Sequence, residues 1–509
     1  MRLSWPAQAV NRGIARLTEA LTDPAQRGRT MIGTLAVYVA LWAVYGLVAK
    51  ASQDLHPDMT EAIAWSRDLA FGYLKHPPVS AWLVRAWFTL FPVTDGAFYL
   101  LAIVVAAVSL WIAWLLAADY LDAEKRVVAV ALLTLVPFFN FHALKFNVNT
   151  VLMPLWAATT LWFLRSYRLR TAPYAALAGV GAALAMMTKY WSVFLIAGLV
   201  IAALIDRRRG AYFRSVAPWV TVIVGLIVLG PHLAWLVQNN FAPFDYAVAV
   251  HGAKSFTVTL RDVVAYLGGS VAYVALPVAL VLIAARPSKA TLADMAWPRE
   301  ADRRLVAAAF WAPLLLPALA ALATGTAITS LWSMSAWTLL PVLLLSPAAV
   351  KIARADTQRI VALAAIVPVV MLLASPVVAY VIQRAGVAPA AAHTRILADR
   401  IANAWHSGTV KPLRYIDGDP DLAYGVAAYL HDRPRALPGL PPVSDATLKR
   451  DGLVVVCFAE HADCIRAAEG RAALDPNARI RIQTNVTRTF LGVPGKPQRY
   501  VIVVVPPQQ

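Results

Sequence analysis

Long apolar runs recur through this chain, and short loops, most of them basic, separate one run from the next. A helix of about 18 or more apolar residues is long enough to cross the hydrocarbon of a bilayer. In lipid, only helices and closed barrels satisfy their own backbone groups. A barrel would show short segments of alternating polarity, whereas these runs are continuous. The pattern predicts a polytopic α-helical membrane protein with about eleven transmembrane helices. Composition agrees: 60% of the residues are hydrophobic and 15% charged, against about 25% charged in soluble domains. Mean hydropathy is +0.61.

Loop charge sets the expected orientation. Arg2, Arg12, Arg16, Arg27 and Arg29 precede the first run, which places the N-terminus inside. Residues 1–30, including "AVNRGIARLTEALTD", read as an amphipathic segment on the inner surface. The first run is too long and starts too late for a cleaved signal, and no small-residue cleavage site follows it. Alternating spans then return each basic loop to the inner side. Two of the spans expected on this count are "VVAVALLTLVPFFNFHALKF" and "TVLMPLWAATTLWFL", and "TAITSLWSMSAW" falls in a loop on the other side. The net charge of +18 follows from these loops lying against anionic lipid, and it does not call for nucleic acid.

The membrane region is expected over 31–384, with a first outer loop at 51–96. From residue 385 to 509 the composition changes. Charge and proline rise, and strand-length runs appear in "GLVVVCF", "ARIRIQ" and "RYVIVVV". This segment reads as a small extracytoplasmic α/β domain. It holds both cysteines, Cys457 and Cys464. In an oxidising compartment they are disulfide candidates, the alternative being two unpaired small hydrophobes. With His461 alone between them, they make a poor metal site.

The first outer loop reads "DLHPDMTEAIAWSRDLAFGYLKHPP". Asp58 and Glu61, three residues apart, share one helix face. The same spacing also fits a capping box, with Asp58 as N-cap and Glu61 at N3. Lys75 and His76 stand just before two prolines, which end the helix and stiffen the corner. Sugar transfer from a phosphate needs both signs of charge. A carboxylate takes the acceptor's proton, and cations stabilise the departing phosphate. Further polar residues fall at the same expected level: Asn140, His142, Lys145, Asn147 and Asn149; Lys189 and Tyr190; His232, Gln238 and Asn239; Asp245, His251 and Lys254. Each alone reads as a snorkelling or solvated side chain, but their clustering on one side points to a cavity.

These residues carry a family likeness. "DMTEAIAWSRDLAFGYLKHPPVSAWL", "FNVNTVLMPLWAATTLWFLR", "MMTKYWSVFL" and "PHLAWLVQNNFAPFDYA" resemble polyprenyl-phosphate-sugar-dependent glycosyltransferases of the GT-C superfamily. The likeness is greatest to the branch of lipid A and core galacturonosyltransferases, relatives of aminoarabinose transferase and the protein O-mannosyltransferases. It implies an inverting transferase in the bacterial inner membrane, active on the periplasmic face, with a polyprenyl phosphate-sugar donor and a lipid or glycolipid acceptor. By resemblance Asp58 is the general base and Glu61 the second acid, although relatives often pair adjacent acids where Met59 stands here. Lys75 and His76 are assigned to the donor phosphate, with His142, Lys145, Asn149, Lys189, Tyr190 and Lys254 as further substrate-binding candidates. Some relatives bind a divalent cation, and no clear ligand set for one is visible in the sequence. The rival reading is a transporter or flippase for a lipid-linked saccharide. That function calls for polar residues at mid-membrane and internal repeats, neither of which is evident here.

Overall fold

The computed structural model describes residues 5–252, 254–473 and 480–508. The chain forms two compact units. One takes in the chain up to Ala43 together with Tyr99–Leu372; the other joins Val44–Phe98 to the chain from Leu373 onward.

Among the described residues, six helices are long and apolar enough to cross a membrane: Arg27–Ala49, Asp95–Ala117, Ala217–Gln238, Phe256–Ala285, Ala301–Thr324 and Arg354–Ala385. The expected count of eleven is not reached by such helices, for physical reasons. The stretch expected as one span after the "DAEKR" loop is broken. Its helix is Ala123–Thr134, 12 residues, or about 18 Å against a hydrocarbon thickness of about 30 Å. Pro137 follows, in the short 3₁₀ turn Pro137–Phe139, because proline lacks the N–H that would continue the ladder. The side-chain amide of Asn140 donates to the carbonyls of Thr134 (2.9 Å) and Val136 (3.2 Å). Asn140 is therefore a buried patch for the broken helix.

Two further apolar stretches form Ala172–Met186 and Val193–Ile205, 15 and 13 residues long, again shorter than a straight crossing. Ala172–Met186 packs on Ala217–Gln238 through Gly179, where a Cβ would come within 2.4 Å of the Thr221 carbonyl oxygen. Small residues permit such close approach where apolar burial cannot drive helix pairing. "TAITSLWSMSAW", expected as a loop, is mostly a buried 3₁₀ segment, Ser330–Leu339, running into the helix Leu340–Leu345.

In the second unit, the C-terminal segment folds around a five-stranded sheet. Its strands are β1 (Tyr415–Gly418), β2 (Arg435–Ala436), β3 (Leu453–Phe458), β4 (Ile480–Val486) and β7 (Gln498–Val505); β5 (Thr489–Phe490) and β6 (Val493–Pro494) form a separate hairpin. The order is β2-β1-β3-β7-β4, with β1 parallel to β2 and β3, and β7 antiparallel to β3 and β4. Helices cover both faces. Leu397, Ile401, Trp405, Leu422 and Val426 meet Val454, Val456, Ile502 and Val504. Leu448 and Ala468 meet Val455, Cys457, Val501 and Val503. A strand buried on both faces reads as a continuous apolar run, hence "LVVVCF" and "VIVVV". Cys457 and Cys464 are joined in a disulfide with a Cα separation of 5.8 Å.

The same unit holds the loop 51–96, built on the helices Pro57–Arg67 and Val79–Leu90. Asp54 fastens it to the C-terminal segment. Its carboxylate is fully buried, pairs with Arg488, and accepts hydrogen bonds from the Thr394 hydroxyl and the Arg395 amide, both 3.1 Å. Arg67 donates to the carbonyls of Ala427 (3.0 Å) and Pro434 (3.1 Å), and Asp68 pairs with Arg435. Most of these partners lie more than 300 residues apart in sequence, and local patterning says nothing about such pairings.

Candidate active site

Pro57 occupies the first position of the helix Pro57–Arg67, where its fixed φ suits a helix start and its missing N–H costs nothing. The N-cap is His56, in extended backbone, with its ring Nδ1 accepting from the Asp58 amide at 3.1 Å. Asp58 is therefore inside the first turn and is not the cap, so the capping-box alternative does not describe this helix. Asp58 Oδ2 lies 3.8 Å from His56 Nδ1, with its side chain 28% exposed. One turn on, Glu61 is buried, and its Oε2 lies 3.2 Å from Lys75 Nζ.

Lys75 is held by a tight corner. The Tyr73 amide donates to the His76 carbonyl at 3.0 Å, and the Tyr73 hydroxyl donates to the carbonyls of Trp65 and Asp68, both 2.9 Å. The Tyr73 ring stacks on Trp65 at 4.9 Å, and His76 meets Trp65 edge-on at 6.0 Å. Aromatic packing thus fixes the loop that carries the cation.

Electrostatics distinguish the acids. Burial pushes the Glu61 carboxyl up to about 7; Lys75 opposes the shift, and Asp58 and Asp421 add to it. Asp421 also sits above the usual carboxylate range, through burial first and then Asp419, with Lys75 opposing and Asp58 adding. Asp421 comes from the first turn of the C-terminal helix Pro420–Tyr429. Sequence reasoning missed it, since "DGDPDLAY" gives only the ordinary signal of an acidic helix start. Nearby, His461 Nδ1 and Asp419 Oδ2 are 2.8 Å apart. The loop helix and the C-terminal segment together form one acidic cluster around a single ammonium.

The remaining candidates belong to the other unit. Lys189 Nζ donates to Asn149 Oδ1 at 2.7 Å and lies 4.5 Å from the Trp332 ring centre. The Tyr190 hydroxyl is 3.1 Å from Nε2 of the buried His232, and its ring stacks on Phe244. Two polar pairs are thus assembled by the short 3₁₀ turn at Tyr190–Ser192. His142 packs on Phe138 and Tyr273, and burial followed by Lys145 lowers its pKa. Lys145 and Lys254 are exposed. Asn147 is an N-cap, accepting from the amides of Asn149 (2.9 Å) and Thr150 (3.4 Å).

Among the described residues, no three His, Cys, Asp or Glu side chains form a metal-binding group.

Residues 75–235 match the family model described as dolichyl-phosphate-mannose-protein mannosyltransferase. The crystal structure of ArnT from Cupriavidus metallidurans bound to undecaprenyl phosphate aligns over 93% of this chain and 98% of that one, with a TM-score of 0.57 and 15% identity. The chain has the fold of ArnT. Two sequence relatives come from Rhizobium johnstonii. The lipopolysaccharide core galacturonosyltransferase RgtB is 31% identical over 221 residues, 42% of this chain. The lipid A galacturonosyltransferase RgtD is 27% identical over 203 residues, 39% of this chain. The chain spans less than half the length of these two relatives, 43% and 42%. On the ArnT-like fold, the family match begins at Lys75, the cation that pairs with Glu61.

Proposed function

We propose that this protein is an inverting glycosyltransferase of the inner membrane. It moves a sugar, with galacturonic acid the first to test, from a polyprenyl phosphate carrier to lipid A, core or another envelope acceptor on the periplasmic face. The reading is carried by Asp58, a partly exposed acid one helical turn from the buried Glu61–Lys75 pair. In the proposed step the acceptor hydroxyl attacks the anomeric carbon from the face opposite the carrier. Its proton passes to the Asp58 carboxylate, the bond from the anomeric carbon to the phosphate oxygen breaks, and the carrier phosphate leaves with the electron pair.

Asp58 suits the base because an incoming alcohol can reach it, whereas Glu61 is committed to Lys75. Glu61 positions that ammonium, and Lys75 and His76 serve the donor phosphate. The ArnT-like fold and the galacturonosyltransferase relatives support this chemistry.

The test is mass spectrometry of envelope lipids from a strain lacking the protein, complemented with the wild type or with Asp58→Asn. The wild type should restore a sugar-sized mass. Asp58→Asn should lower transfer by about 10²–10⁴-fold, the usual size of a general-base contribution, while remaining folded and inserted. Full transfer by Asp58→Asn would remove that residue from the role.

A further inference from the structure

A small cavity that the proposed reaction does not use lies at the end of the helix Arg354–Ala385. This helix has 32 residues and is about 48 Å long. The hydrocarbon is about 30 Å thick, so the end of the helix reaches headgroup depth. Gln383, almost fully buried, donates from Nε2 to the carbonyls of Arg488 and Val493, both 3.0 Å, and so ties the β5–β6 hairpin to the helix end. The cavity beside it measures about 150 Å³, and its polar lining is Ser52, Gln383, His393, Arg488, Lys496 and Gln498. Among the described residues, the lining includes Arg488 and Lys496 and no carboxylate.

Three features show how this lining is held. Arg488 gives one arm to the buried Asp54, and its Nε is buried with no hydrogen-bond partner. Buried charged donors are ordinarily satisfied, so this one is short of an acceptor. Lys496 lies across Gly386, where φ is +86° and a Cβ would come within 2.9 Å of the lysine stem; only glycine leaves room for it. His393 directs Nδ1 at the Tyr500 hydroxyl, 2.9 Å away. Burial, with Arg488 next, pushes the His393 pKa down to about 4, so the ring is neutral and the positive charge comes from Arg488 and Lys496.

We propose that this cavity is an anion site for a single phosphate group, held by Arg488 and Lys496 at the membrane surface. The phosphate is either the headgroup of a membrane phospholipid or a free phosphate ion. Guanidinium and ammonium together suit that group, the first by paired donors and the second as a point charge. The competing structural role is a helix cap, with Lys496 neutralising the last carbonyls of Arg354–Ala385. A cap would affect stability alone.

The experiment uses the full chain, purified in detergent and stripped of lipid. One arm measures retention of added phosphatidylglycerol by native mass spectrometry, and the other measures equilibrium binding of radiolabelled inorganic phosphate. Arg488→Gln would strand the buried Asp54, so Lys496→Gln carries the test, with the exposed Lys411→Gln as control. Lys496→Gln should weaken binding at least about tenfold while Lys411→Gln leaves it unchanged. Retention of the lipid alone assigns a headgroup; binding of inorganic phosphate as well assigns a free anion. If neither probe binds, or if Lys496→Gln binds like the wild type and shifts only the unfolding temperature, the proposal is overturned.

Discussion

Glu61 keeps its carboxyl buried against one ammonium with two other acids nearby, and this arrangement sets its proton affinity. Folding raises its pKa from 4.5 to about 7. The folded chain holds this proton more tightly than the unfolded one. The stability this contributes is therefore complete below about pH 4.5 and is lost as the pH rises through about 7. The shift corresponds to about 3 kcal/mol. Thermal unfolding of Glu61→Gln and wild type should accordingly diverge between pH 5 and 8, with the variant gaining relative stability as pH rises. Parallel curves would show that Glu61 is not the titrating group. A second residue makes a sharper test. Asp421 raises the Glu61 pKa, so Asp421→Asn should let Glu61 ionise at lower pH. The pH at which thermal stability falls should move down accordingly, whereas a lower stability without that movement would mean a merely structural role for Asp421.

At the scale of elements, the chain is governed by where helices stop. Pro137 cuts an apolar stretch that hydropathy reads as one span, and Asn140 takes up the released carbonyls. Hydropathy records apolarity over a window and is blind to a single missing N–H. The helix Pro57–Arg67 shows a similar limit. A serviceable capping pattern at Asp58 and Glu61 is displaced by His56, because Pro57 takes the first helical position. The disulfide joins β3 to the helix Ala462–Ala472 across a separation of seven residues. Closing so short a loop removes about 2–3 kcal/mol of unfolded-chain entropy. The double variant Cys457→Ala, Cys464→Ala should therefore lower the denaturant stability of the C-terminal segment by about 2 kcal/mol. An unchanged denaturation midpoint would show that the covalent link contributes nothing there.

At the scale of the whole molecule, the loop 51–96 and the segment from Leu373 onward form one compact unit. Asp54 is the keystone of that unit, with Arg488 and Arg395 on a carboxylate that has no access to water. Removing one partner of a buried ion group leaves the others uncompensated, at a cost of about 3–5 kcal/mol. Asp54→Asn should lower the unfolding temperature and open the loop to protease, with both effects seen in the purified full chain. If Asp54→Asn matches the wild type in both, the joining role of Asp54 is wrong.

Local order in the sequence was enough for several conclusions about this protein. Apolar length and basic loops gave a polytopic helical chain, because bilayer thickness and charge are read residue by residue along the sequence. Spacing put Asp58 and Glu61 on one face, and continuous valine-rich runs marked β3 and β7. What the sequence could not decide was which distant groups meet. Asp421 joins an acid pair about 360 residues upstream, and Asp54 finds Arg488 more than 400 residues away. Such pairings follow from how helices and sheet pack in three dimensions, and no periodicity along the chain encodes them. Burial, which raises the Glu61 pKa, is likewise a property of the surroundings, so only the folded structure could set it.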